Sequence, residues 1–174
     1  MTRPMTRPAL TFQNLAPWTP KIRSYVGTVL CDLAPLDARE IMGLHPELAH
    51  PSELLGHIGK IMVAGLYIEG FVALEGDKPA AVALAYRHQM PQVASLGFFG
   101  RAGMPRAMAA CYRRLHQRKH SFRNTYGLRL AQVPVLTDYA APMKRLKRMG
   151  GEAAFDYGPL GPEQLNYTHM IWRF

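Results

Sequence analysis

The sequence predicts an α/β fold, a single domain built on a central mixed, mostly antiparallel sheet with helices on both faces. Three observations predict it. Strand-like runs at residues 68–100 are joined by turn signals. A long amphipathic helix at 104–120 then leads into a strand at 128–136. After a short basic helix, two further strand-like runs close the chain. The 174 residues, 48% hydrophobic and 19% charged, suit one globular core.

Taken in order, residues 1–23 hold the duplication MTRP-MTRP, then Pro8, Pro17 and Pro20. They read as an extended Pro/Arg-rich arm preceding a domain at 24–174, and as the segment that would dock a protein partner. SYVGTVLCDLAPL (24–36) reads as a first strand, rich in aromatic and β-branched residues, ending in a turn at Pro35. LDAREIMGL (36–44) is a short helix with Asp37 as its N-cap. At 51–67, Leu54, Leu55, Ile58, Ile61 and Met62 follow helical spacing. IEGFVALEGD and AAVALAY form a hairpin over 68–86, and QVASLGFFG (92–100) adds a third strand.

In the helix at 104–120, Met104, Ala107, Met108, Cys111, Tyr112 and Leu115 share one face and cations the other. Pro134 limits the strand at 128–136 to one-sided pairing or a bulge. DYAAPMKRLKRMGGEAAF (138–155) is a helix closed by a Gly pair and entering a strand.

The net charge of +9 is regional. Between Arg101 and Gly150 stand twelve basic residues and one acid, Asp138, while the rest of the chain is slightly acidic. An anionic partner is expected for this region, which includes Arg113, Arg114, Arg118, Lys119, Lys144, Arg145, Lys147 and Arg148. That partner is a nucleic acid bound through its phosphates or an acidic protein surface. Cys31 and Cys111 read as free and buried. No apolar run is long enough to span a bilayer, and MTRPMTRPAL lacks the apolar core of a signal peptide, so a cytoplasmic location is expected. His116 and His120 stand four apart on a helix, but no carboxylate follows at metal-site spacing. His45, His50 and His57 likewise show no matching carboxylate spacing, so no metal site is expected.

The element order, the strand-loop-helix SLGFFGRAGMPRAM and the helix-glycine APMKRLKRMGGEAAF resemble the GNAT (GCN5-related N-acetyltransferase) family over residues 24–174. The resemblance implies acetyl-CoA as cofactor. Its pyrophosphate would rest on the loop between the strand at 92–100 and the helix after it, here Gly100, Arg101, Ala102, Gly103 and Arg106. A helix N-terminus offers unpaired N–H donors and the positive end of a dipole. The loop departs from the family's Gln/Arg-x-x-Gly-x-Gly/Ala register.

Family members often carry a tyrosine acid four residues before the closing glycine, where this chain has Leu146, and a glutamate base on the fourth strand, where it has none. The substitutes are Tyr139 or Tyr112 as acid and His88 or Glu75 as base, with Tyr139 the leading catalytic candidate. EGDKPAAVALA, FFGRAGMPRAM and PMKRLKRMGG are most similar to the degenerate GNAT-like proteins of short-tailed bacteriophages. That similarity implies a virion or assembly component with weakened or lost catalysis, found in host cytoplasm and virion. The alternatives are an active acetyl-CoA-dependent N-acetyltransferase and a small basic nucleic-acid-binding protein.

Overall fold

A computed structural model describes residues 8–87 and 89–174; residues 1–7, which contain most of the MTRP duplication, and His88 lie outside the described residues. Seven strands form one sheet in the order β1-β2-β3-β4-β5-β7-β6. They are β1 (Leu10–Asn14), β2 (Tyr67–Glu75), β3 (Lys78–Arg87), β4 (Val93–Gly100), β5 (Leu130–Leu136), β6 (Glu152–Leu160) and β7 (Leu165–Arg173). Every neighbouring pair is antiparallel except β4 and β5.

The strand predicted at 24–36 is a helix instead, α1 (Pro20–Cys31). Its buried residues Ile22, Val26, Val29 and Leu30 repeat at helical spacing, Pro20 sits in the first turn, and Thr19 Oγ1 accepts a hydrogen bond from Ile22 N at 3.2 Å. The β-branched content that suggested a strand yields to this one-sided burial. The first strand lies upstream, where β1 pairs with β2 from Leu10↔Glu75 to Asn14↔Phe71. Of the expected extended arm, residues 10–14 are therefore sheet and 20–23 helix, and the boundary drawn at 23/24 falls inside α1. Phe12 stacks edge-on against Phe71 at 5.4 Å, which gives this edge strand an apolar anchor.

The remaining helices follow the sequence closely. They are α2 (Pro35–Leu44), a 3₁₀ turn at Pro51–Glu53 that leads into α3 (Leu54–Val63), α4 (Pro105–Gln117), α5 (Lys119–Tyr126) and α6 (Ala140–Arg148). The predicted single helix at 104–120 breaks at Arg118. Gly127 (φ +66°) ends α5 and Gly150 (φ +85°) follows α6, both in the left-handed region that glycine tolerates.

Successive residues of β2 and β3 alternate between two cores. Phe71, Ala73, Ala81, Ala83 and Ala85 face α4 together with Cys111 and Leu115. Val72, Leu74, Val82 and Leu84 face α1 and α3 together with Val26, Val29 and Ile58. The sheet is thus sandwiched, with α1–α3 on one face and α4–α6 on the other, and each fully buried aliphatic chain contributes about 1.5–3 kcal/mol. Both cysteines are free; Cys111 is buried as expected, but Cys31 is exposed at the end of α1.

The pairing of β4 and β5 positions the site. It covers only Val93↔Leu130, Ala94↔Ala131 and Ser95↔Gln132. Beyond these, β4 stays with β3 as far as Gly100 and β5 stays with β7 as far as Leu136, so the two strands diverge into a V. Pro134 stands on the diverging arm, paired with His169 of β7 alone, which is the one-sided pairing its missing N–H requires.

Candidate active site

A splayed strand pair exposes backbone amides that need partners. Here α2 supplies them. Asp37 and Glu40 stand one turn apart and project toward the V. Asp37 Oδ2 accepts a hydrogen bond from Gly100 N, the end of β4, at 2.9 Å. Glu40 Oε2 accepts one from Leu136 N, the end of β5, at 3.0 Å. Asp37 is therefore not the N-cap of its helix; that position is Ala34, which makes no side-chain cap. Two tyrosines complete the cluster. Tyr139 Oη donates to Asp37 Oδ1 at 3.1 Å, and the fully buried Tyr167 donates from its Oη to the backbone oxygen of Glu40 at 3.1 Å.

The cluster is electrostatically unusual. Burial pushes the Glu40 carboxyl up from its ordinary 4.5 to about 8, against the pull of the Leu136 amide, and the Asp37 charge adds to the rise. Burial also raises Asp37, opposed by its bonds to Gly100 and Tyr139. The Tyr139 hydroxyl is raised by burial first and then by the neighbouring Asp37 carboxylate. At neutral pH the Glu40 carboxyl is mostly protonated and becomes a proton acceptor just above it.

Three adjoining spaces surround these groups. On the α4–α6 face a cleft of about 370 Å³ is lined by Gly100, Gly103, Met104, Tyr112, Tyr139 and Arg145. On the α1–α3 face a cavity of about 570 Å³ lies among Ile58, Leu84, Phe99 and Pro134, with Glu40 in its wall. A throat of about 20 Å³ shares Asp37, Tyr112 and Tyr139 with the cleft and Glu40, Phe98 and Val133 with the cavity. The three spaces thus share walls at the V, with Glu40 lining both the throat and the larger cavity.

The loop predicted to hold a pyrophosphate stands at the mouth of the cleft, but its residues divide. Arg101 is turned away: its Nε and Nη2 donate to Asp32 Oδ2 at 2.9 and 2.7 Å, and its Nη1 donates to the Pro79 carbonyl at 3.1 Å. Arg106 pairs with Glu75 at 3.4 Å and the Pro8 carbonyl at 3.0 Å. The amides of Gly100, Arg101 and Ala102 are also used inside the fold, by Asp37, Ala80 and Asp32 respectively. What fits an anion is the backbone at Gly103 and Arg106. Gly103 has φ +74° and open space where a Cβ would be, and the Arg106 N–H sits in the first turn of α4, where no helical partner exists. Arg145, on the facing helix α6, lines the same cleft. An anionic group at the mouth of this cleft would meet the backbone amides of Gly103 and Arg106 and the side chain of Arg145, not the side chains of Arg101 and Arg106.

The other candidates separate in the same way. Leu146 is buried in the core beneath the throat. Tyr112 packs against Phe98 at 4.3 Å and lines the cleft. Glu75 is tied to Arg106 on the outer strands, away from the cleft. Of the basic surface, Arg114 lies over the rings of Phe12 and Phe71, and Arg118 pairs with Glu69 at 2.6 Å. Arg113, Lys119, Lys144, Lys147 and Arg148 are exposed, and no salt bridge engages them among the described residues. The histidines expected to lack a carboxylate do meet one: His45, Glu47 and His57 bring ligand atoms within 4.8 Å of one another beside the larger cavity. Glu40 went unassigned in the sequence because an acid on a short helix is ordinary there; its contact lies 96 residues away, at Leu136.

No family model matches the chain, and no curated protein matches it in sequence. Solved structures do match it. The ribosomal-protein-S18-alanine N-acetyltransferase of Escherichia coli superposes with a TM-score of 0.65 at 13% identity, over 95% of this chain and 94% of its own. An acetyltransferase of the GNAT family from Streptococcus pneumoniae gives 0.62 at 11%, over 95% and 100%. A Salmonella typhimurium protein assigned as an acetyltransferase, solved with its cofactor acetyl-CoA, gives 0.61 at 14%, over 95% and 94%. Across nearly the whole described chain, the architecture is the GNAT fold.

Proposed function

We propose that the protein is an acetyl-CoA-dependent N-acetyltransferase. The observation that carries this is the splayed pair β4 and β5, where a cleft on one face and a cavity on the other adjoin a small space walled by Asp37, Tyr139 and a Glu40 carboxyl whose pKa is raised to about 8. Acetyl-CoA, when bound, supplies an acyl group activated as a thioester. The amides of Gly103 and Arg106, with Arg145, would hold its phosphates at the mouth of the cleft.

Glu40 would take the proton from an ammonium entering through the larger cavity. A base whose pKa lies near the working pH does this most efficiently. Tyr139 would hand its hydroxyl proton to the leaving thiolate in the cleft and regain one from solvent once the thiol departs, while Asp37, which accepts that hydroxyl's hydrogen bond, would hold it in position. Leu136 N–H holds the Glu40 carboxyl in place, and the Tyr167 bond to the Glu40 carbonyl fixes the helix beneath it.

The test is calorimetric titration of acetyl-CoA, with ATP and a short DNA duplex as anion controls, followed by thiol release in the presence of amines. Selective acetyl-CoA binding and amine-dependent thiol release are expected. Equal, salt-sensitive binding of all three anions would overturn the reading.

One observation favours a second reading, a virion or assembly component with weakened catalysis. It is the buried Leu146 at the position where the resemblance would put a tyrosine. Its support from the N-terminal segment is narrower than the sequence suggested, because residues 10–14 and 20–23 are used by the fold itself. Acetyl-CoA binding without thiol release for any amine would favour it.

A further inference from the structure

The larger cavity carries information about the acceptor, and the inference drawn from it rests on the acetyltransferase reading. Its wall is mostly apolar, and its charged groups are sorted by position. At one end stands Glu40, bonded to Leu136 at the open end of β5. At the other stand Lys60, on α3, and Arg87, the last residue of β3, which pairs with Ala94 where the V closes. Lys60 and Arg87 are exposed at the rim, and no salt bridge engages either among the described residues. Among the described residues the other titratable side chains in the wall are His45, His57, His169 and Tyr86; Glu40 is the carboxyl in the wall itself, kept mostly neutral at pH 7 by burial, and the Glu47 carboxylate beside the cavity is paired with His45 at 3.2 Å.

A site for a polyamine would offer carboxylates at both ends; this one offers an acceptor of protons at one end and two cations at the other. We infer that the acceptor is an elongated small-molecule amine with an anionic group at its far end and an apolar body between. The amine would reach Glu40. The anion, a carboxylate or a phosphate, would pair with Lys60 and Arg87. Ile58, Ile61 and Leu84 would cover the body.

A matched set of eight-carbon probes tests this: 8-aminooctanoate, 8-aminooctyl phosphate, octylamine and 1,8-diaminooctane. Binding is measured by calorimetry with and without saturating acetyl-CoA, and acetylation by thiol release. Both anionic probes are expected to bind about tenfold or more tightly than octylamine, with the diamine weakest. The ratio of the two anionic probes distinguishes carboxylate from phosphate. In the double variant Lys60→Ala/Arg87→Ala, the advantage over octylamine should disappear while acetyl-CoA affinity holds. Octylamine or diaminooctane binding as tightly as the anionic probes would overturn the inference and leave the acetyltransferase reading standing. Failure of acetyl-CoA to bind, with the anionic preference intact, would do the reverse. The variant's cavity residues are exposed at the rim, so loss of folding does not confound the result, and a melting curve verifies this.

Discussion

Glu40 concentrates the chemistry in one side chain. Its pKa is raised in the folded protein, so the native state binds more protons than the unfolded chain between about pH 4.5 and 8. Its contribution to stability is full below the unfolded value and is lost as pH rises through about 8. Glu40→Gln is therefore expected to flatten the fall in stability across that window, as followed by denaturant unfolding at several pH values. The same variant should lose about 10²–10⁴ in kcat/KM, and the rising limb of the pH–rate profile near 8 should vanish with it. Tyr139→Phe removes only the hydroxyl bonded to Asp37. It should lower kcat with little change in acetyl-CoA affinity, which separates a proton donor from a wall residue. Tyr139 entered only as a substitute for the tyrosine that the family resemblance puts where this chain has Leu146. It could not single out Glu40, since that carboxyl gains its character from burial beside a strand far along the chain.

At the scale of elements, α2 is a clamp. Its acids close the two arms of the V, and Tyr167 of β7 holds its backbone. Gly43 explains how the helix lies so near that tyrosine: a Cβ there would collide with Tyr167 Oη and press on Leu165 Cδ1 at 2.9 Å. Gly43→Ala should destabilise the protein by about 2 kcal/mol or more through overpacking. Adding Tyr167→Phe should recover part of the loss, as the next ring atom is 3.3 Å away; melting of the single and double variants checks this.

Other elements were legible to different degrees. The hairpin of β2 and β3 and the long helix α4 announced themselves by periodicity, and Pro134 marked the one-sided strand. Helix α1 was misread because Val26, Thr28 and Val29 are strand formers individually, while their burial pattern is helical. Strand β1 was hidden among prolines and arginines, and only its pairing with β2 and the Phe12–Phe71 contact make it part of the sheet. Deleting residues 1–14 should lower the melting temperature measurably by removing that strand and the ring under Arg114.

Across the whole molecule, the positive charge recognised in the sequence divides into separate roles. Arg101, Arg106, Arg114 and Arg118 are absorbed by contacts within the fold. Arg145 faces the cleft, while Lys144, Lys147 and Arg148 stand exposed on the same helix. Arg145→Ala should weaken acetyl-CoA binding about tenfold, the scale of one charge-assisted contact. Replacing the three exposed cations with alanine should flatten the salt dependence of any duplex-DNA binding while changing acetyl-CoA affinity far less. Composition could not make this division, because it counts charges without saying which are already partnered.

The opposed faces of the cleft and the cavity bear on the kinetic order in which the molecule can work. On the acetyltransferase reading, donor and acceptor would approach from different sides of the sheet and meet at its neck. Neither would have to leave before the other arrived, so direct transfer with both held at once is the expected order. Initial-rate plots should give intersecting rather than parallel lines. A dead-end analogue of the acceptor should raise the apparent requirement for acceptor alone and leave the donor free to load.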